Sequence, residues 1–161
     1  YSLRDTFLRA LDLRQRCTEN SALANLYLGL LSLSIEERRL DEARDWLQKA
    51  RATPDPSAAT ELELTEQAAR LAFANGKPAE SLQLFRDMEA RSKKNELHFP
   101  RMYTCRANIG ILEAQTALGQ HVQIQHDAVR SCVKNSADGL PASTIRHILK
   151  RLSSVGIRSM D

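Results

Sequence analysis

The sequence contains few cysteines. Cys17, Cys105 and Cys132 are the only three in 161 residues, and they are widely separated. An odd number of cysteines at such spacing indicates neither a disulfide framework nor a zinc site of the CxxC kind. Proteins without disulfides are typical of reducing compartments, so we expect a cytoplasmic protein.

Long apolar runs and a strong charge of one sign are also missing. No run approaches the roughly 20 apolar residues that a membrane-spanning helix needs, and no signal-peptide pattern is present. The formal net charge of +3 is too small to indicate nucleic-acid binding by itself. The sequence therefore predicts no membrane association, and it offers only weak support for binding to an acidic partner.

Motifs for catalysis are missing as well. The sequence has no GxxxxGK[ST], GxGxxG, HExxH or EF-hand pattern. His121 and His126 are five residues apart, which places them on different sides of a helix, and no nearby cysteine or carboxylate motif completes a zinc site. We therefore expect a protein that is not an enzyme and that needs no cofactor or metal.

Apolar residues recur at three- and four-residue spacing along almost the whole chain, and no stretch alternates with a period of two. This pattern predicts an all-α protein. Asp41 and a Thr60–Glu63 capping box are the expected N-terminal caps of the third and fourth helices. The expected helices cover approximately residues 3–17, 22–36, 41–52, 60–74, 78–92, 100–118, 121–134 and 141–154.

Proline and glycine mark several of the helix ends. The Pro54/Pro56 pair forces a break, because proline lacks the amide donor that a helix interior needs. Asn75-Gly76 is a good left-handed stop, and Pro78 suits the first turn of the following helix. These signals predict short connections between antiparallel helices.

A unit of two helices recurs along the chain with its sequence cues in the same order. Its clearest copy has a turn near Arg38, and the later copies turn at Gly76 and Gly119. The first two turns are 38 residues apart, and the next two are 43 residues apart. Repeated helical hairpins usually stack into solenoids that bind partners rather than catalyse reactions.

The cues within each copy resemble those of the tetratricopeptide repeat, whose standard period is about 34 residues. Small Ala43, bulky Leu47 and small Ala50 occupy matching positions in the second helix, while Phe85 corresponds to Leu47 in the next copy. Leu31 departs from the pattern, since that family has a small residue there. The resemblance implies a right-handed superhelix of stacked antiparallel hairpins, a tetratricopeptide-like α-solenoid with a C-terminal capping helix.

The expected organisation is a single repeat domain over residues 1–161. It contains a half repeat at 3–17, repeats at about 21–56, 57–95 and 97–134, and a capping helix at about 141–154. Residues 3–17 match the second helix of a repeat, so we expect an excerpt from a longer chain whose open edge packs on an upstream helix or on another copy. Longer, degenerate repeats of this kind are similar to those of bacterial regulators, which implies a sensory or regulatory module.

The resemblance also implies a binding groove lined by the first helix of each hairpin. Asn25 is the best single candidate, because an amide can donate to and accept from a peptide backbone. The partner would be a protein or peptide, or another domain of the same full-length protein. The candidate groove residues are Asn25, Leu28, Glu66, Arg70, Phe73, Arg106 and Glu113.

Two other functions remain open. Residues 140–152 resemble the recognition helix of winged-helix regulators, which implies DNA contacts by Arg146, Lys150 and Arg151. The same segment also fits a capping helix with a polar outer face. The third interpretation is a secretion-type chaperone whose groove shields an amphipathic client.

Overall fold

The computed structural model describes residues 2–14, 20–54, 57–94, 100–120 and 122–135, and also the single positions 146, 150 and 153. These residues lie in helices and in the turns between them, without a strand, which confirms the all-α prediction for this part of the chain. The helices are α1 (Leu3–Arg14), α2 (Asn20–Glu36), α3 (Leu40–Ala52), α4 (Ala58–Ala74), α5 (Pro78–Ser92), α6 (Pro100–Ala117) and α7 (Gln123–Asn135).

The helix bounds agree closely with the sequence-based ones, but both predicted caps are wrong. α4 begins earlier than expected, because Ser57 and not Thr60 is its N-cap; the Ser57 hydroxyl accepts a hydrogen bond from the Thr60 amide. Arg39 is the N-cap residue of α3, and its side chain makes no capping hydrogen bond. Asp41 lies in the first turn of the helix. The predicted helix at 141–154 lies outside the described residues except for Arg146, Lys150 and Ser153, which are helical.

α1 begins with a capping box that was not predicted from the sequence. The backbone amide and the hydroxyl of Ser2 donate to the Asp5 carboxylate at 3.0 and 2.8 Å, and the Asp5 amide donates to the Ser2 hydroxyl at 3.1 Å. These hydrogen bonds stabilise the ionised carboxylate and lower the pKa of Asp5.

The chain divides into two compact units, an N-terminal unit (residues 1–77) and a C-terminal unit (residues 78–161). In the N-terminal unit α2 is central and packs on α1, α3 and α4, while α3 also packs on α4. In the C-terminal unit α6 packs on α5 and α7. The boundary falls at the turn inside the predicted repeat 57–95.

Three helices of the chain end in the same backbone motif. Arg38, Gly76 and Gly119 all have left-handed backbone, with φ of 61°, 74° and 67°. In each case the residue that follows donates its amide to a carbonyl five positions earlier, which is the closing bond of a Schellman motif. These bonds join Arg39 to Ser34 (2.8 Å), Lys77 to Ala72 (3.0 Å) and Gln120 to Gln115 (3.0 Å). The three turn positions inferred from the sequence are therefore structurally equivalent.

A second feature is shared by the two units: an aromatic ring packs on a glycine of the next helix. Phe7 of α1 lies against Gly29 of α2, and Phe85 of α5 lies against Gly110 of α6. A Cβ atom on either glycine would overlap the ring. Glycine lets each ring lie directly on the helix backbone, and a side chain at either position would force the ring to move.

Cys105 of α6 and Cys132 of α7 form a disulfide, with their Cα atoms 5.7 Å apart. The expectation that the cysteines form no disulfide is therefore wrong for this pair. Their separation of 27 residues spans one helix–turn–helix, and the turn brings the two helices side by side. The cysteine pattern thus no longer supports a reducing compartment, and cytoplasmic location stays a prediction. No helix in the described ranges is long and apolar enough to cross a membrane.

Candidate partner-binding surface

The predicted groove residues of the N-terminal unit lie in very different environments. Asn25 on α2 is exposed, and Phe73 on α4 is 37% exposed. Leu28 and Glu66 have only 5% and 2% of their surface exposed. Neither of these two offers a surface to a partner in this structure, so their assignment to a binding face is not supported.

Arg70 of α4 connects its helix to α2. Its guanidinium donates hydrogen bonds to the Ser32 hydroxyl at 3.0 Å and to the Gln67 side-chain oxygen at 3.1 Å. It also lies 3.5 Å from the carboxylate of Glu36. Because the Arg70 side chain is only 14% exposed and is held by these contacts, its first role is to position the two helices.

Asn25, Ser32 and Glu36 lie on the same side of α2. Ser32 follows Asn25 by seven residues, and Glu36 follows it by eleven. Both spacings are close to whole numbers of helical turns. Ser32 and Glu36 contact Arg70 of α4. Asn25 lies on the same face of α2 but nearer its N-terminus, about 16 Å from Glu36 along the helix axis. The Glu36 side chain is 51% exposed. This face therefore presents an amide and a carboxylate to solvent.

The candidates of the C-terminal unit are on α6. Arg106 and Glu113 are both partly buried, and their spacing of seven residues places them on one side of the helix. The Arg106 guanidinium lies 5.4 Å from the centre of the Tyr103 ring, within the range of a cation–π contact. Both side chains already have intramolecular partners. They form a mixed-charge surface rather than a concentrated basic one.

Other side-chain contacts that position the helices were not predicted from the sequence. Gln125 of α7 donates to both the side-chain and the backbone oxygen of Asn108 on α6. Arg4 of α1 pairs with Glu37 at 2.9 Å and also with Glu42. The isolated glycines at 29 and 110 were a usable signal, because glycine inside a helical pattern often marks a close approach.

The basic residues near the C-terminus are only partly described. Arg146 and Lys150 each have helical backbone and an exposed side chain. Arg151 lies outside the described residues. The structure thus gives two exposed cations and leaves the DNA interpretation as a prediction.

No cluster of three or more histidine, cysteine or carboxylate side chains in the described ranges is arranged to hold a metal ion. Comparison with protein-family models, with curated proteins and with solved structures gives no match for this chain.

Proposed function

We propose that this chain is a tetratricopeptide-like repeat segment that binds a protein or peptide, or another part of its own full-length chain, without catalysing a reaction. The supporting observation is the recurrence of one Schellman motif at Arg38, Gly76 and Gly119, the turn positions of the repeated two-helix unit. Stacked two-helix repeats are typical of solenoids, which bind partners along an extended concave surface. A place in a bacterial regulatory protein follows from the same resemblance.

The exposed face of α2 favours a peptide partner. Asn25 can both donate to and accept from a peptide backbone, and the half-exposed Glu36 carboxylate can accept from a cationic side chain. Phe73 adds apolar surface on α4 of the same unit. We therefore expect a partner segment that is extended or helical and carries at least one lysine or arginine.

A peptide-library selection against the protein tests this function, with affinities of selected peptides measured by calorimetry. Asn25→Ala should weaken binding by about two- to tenfold, since a hydrogen bond to a peptide is worth roughly 0.5–1.5 kcal/mol. Arg44→Ala is the matched control, because Arg44 is exposed on α3 and pairs with the neighbouring Asp41. Equal losses in both variants, or no selected peptide, would count against the proposal.

The DNA interpretation is tested with the same protein and a labelled duplex in fluorescence anisotropy. Binding that falls steeply with salt and is lost in the Arg146→Glu/Lys150→Glu variant would favour a nucleic-acid interface over a peptide-binding scaffold. We expect no specific binding, because the two cations are accompanied by a chain of small net charge.

A further inference from the structure

We propose that Cys105 and Cys132 form a thiol–disulfide switch that controls how readily α7 separates from α6. The bond joins the two helices directly, and its Cα separation of 5.7 Å lies in the usual range for disulfides. The proposal is independent of the partner-binding function, because it concerns only the contact between these two helices.

The two sulfur positions differ in access. Cys105 is 1% exposed and belongs to a buried apolar cluster with Ile109, Leu112 and Val129. Cys132 packs at the edge of the cluster and is only partly buried. An external thiol therefore reaches the sulfur of Cys132 first, since thiol–disulfide exchange requires direct approach to one sulfur.

The α6–α7 contact does not depend on the disulfide alone. Val129 of α7 is buried against Ile109 and Leu112 of α6, and the Gln125 side chain donates to Asn108. Reduced cysteines behave as small apolar residues and suit such a cluster. Both redox states are thus compatible with a docked α7. Because the helices also pack without the disulfide, breaking it can make the separation of α7 from α6 easier without unfolding the unit.

The exchange with a small thiol such as glutathione proceeds in two steps. The glutathione thiolate attacks the Cys132 sulfur, the bond between the cysteines breaks, and Cys105 leaves as a thiolate that takes up a proton. A second glutathione thiolate attacks the glutathione sulfur of the mixed disulfide, and Cys132 is released and protonated. The net reaction converts two glutathione thiols and the protein disulfide into glutathione disulfide and two protein thiols.

The bond and the apolar cluster together predict what the switch exposes. Oxidised protein keeps α7 against α6, because separation of the helices is limited by a covalent link. In reduced protein α7 can move away as a unit, which exposes the α6 side chains Cys105, Ile109 and Leu112. Local opening of this kind is detected by amide hydrogen exchange.

Hydrogen exchange with mass spectrometry on the oxidised and glutathione-reduced protein tests the switch, with Cys17→Ala in all samples to prevent exchange with the third cysteine. Peptides of α7 should exchange at least about tenfold faster after reduction, while those of α5 should be unchanged. Cys132→Ala is the control, and it should exchange as the reduced protein does and ignore glutathione.

Three results would overturn the proposal. Equal α7 exchange in the two states would show that the bond has no conformational effect. Loss of protection in α5 and α6 on reduction would make the disulfide a requirement for folding rather than a switch. Failure of glutathione at millimolar concentration to open the bond would remove the chemical basis of the regulation.

Discussion

The two units of the molecule use the same packing device but different cross-links. In both, a phenylalanine lies on a glycine of the next helix: Phe7 on Gly29 in the N-terminal unit and Phe85 on Gly110 in the C-terminal unit. The N-terminal unit then adds charged contacts, from Arg4 to Glu37 and Glu42 and from Arg70 to Glu36. The C-terminal unit adds a disulfide and neutral hydrogen bonds, including the one between Ser92 and Thr104 at 2.8 Å.

This difference shows which part of the helix packing is determined by shape and which is not. The ring and the glycine determine how closely two helices approach, so they must occur together. The cross-links only need to join helices that are already adjacent, and ion pairs, amides or cysteines serve equally well. We therefore expect reductants to act on the C-terminal unit and added salt to weaken the charged contacts of the N-terminal unit.

The largest effect is expected from Phe85→Ala, which removes a ring that is 1% exposed. Its loss should lower the free energy of unfolding by about 3–5 kcal/mol, because a buried aromatic side chain is replaced by a cavity. Phe7→Ala should cost less than half as much, since Phe7 is only partly buried. Urea unfolding followed by circular dichroism measures both. Equal costs would show that the two contacts are energetically equivalent despite their different burial.

Reduction of the disulfide should give the next largest effect, lowering the free energy needed to separate α7 from α6 by about 2–4 kcal/mol while α5 and α6 stay folded. The only tryptophan, Trp46, is in the N-terminal unit and provides a separate probe of that unit. We expect the Trp46 fluorescence transition to stay at the same urea concentration while the circular dichroism transition moves. A shift of both would indicate that the two units unfold together.

Arg4→Ala should destabilise the N-terminal unit by about 1 kcal/mol, because it breaks pairs with Glu37 and Glu42 that are partly screened by solvent. The Trp46 transition measured at about 0.05 and 0.5 M salt checks this, since added salt should shrink the difference from wild type. Arg86→Ala, an exposed arginine of α5, is the control and should have no effect on that transition. A salt-independent loss would point to packing of the Arg4 stem instead.

The smallest effect is expected from Arg38→Gly, and it should be stabilising. Arg38 has a φ of 61°, while the equivalent positions are occupied by Gly76 and Gly119. Removing the side chain from a left-handed residue should raise the free energy of unfolding by about 0.5–1 kcal/mol. Thermal unfolding of the variant is a sufficient measurement, and a lower midpoint would mean that the Arg38 side chain contributes contacts that outweigh the backbone strain.

The sequence predicted what depends on local chemistry. The end of α4 and the start of α5 were predicted correctly, because Asn75-Gly76 and Pro78 determine the backbone conformation within a few residues. The cap at Ser57 was missed since Thr60 offered a second hydroxyl at a plausible position. The prediction of helices was thus reliable, and the choice between adjacent capping residues was not.

Contacts between helices could not be predicted from the sequence. The burial of Leu28 and Glu66 depends on how neighbouring helices pack, whereas the groove positions were counted along single helices. The approach of Cys105 and Cys132 depends in the same way on the turn between α6 and α7. The exposed position of Asn25 agrees with its proposed role in binding, and its contact with a partner stays a prediction.

The packing of each phenylalanine on its glycine has a consequence for finding other proteins of this type. The glycine follows its aromatic partner by 22 residues in one unit and by 25 in the other. Because a mutation of either member alone creates an overlap or a cavity, the two positions should change together during evolution. In both units a left-handed residue follows the glycine by 9 positions. The aromatic residue, the glycine and the left-handed residue therefore form a search pattern, which depends on packing and backbone conformation rather than on surface residues.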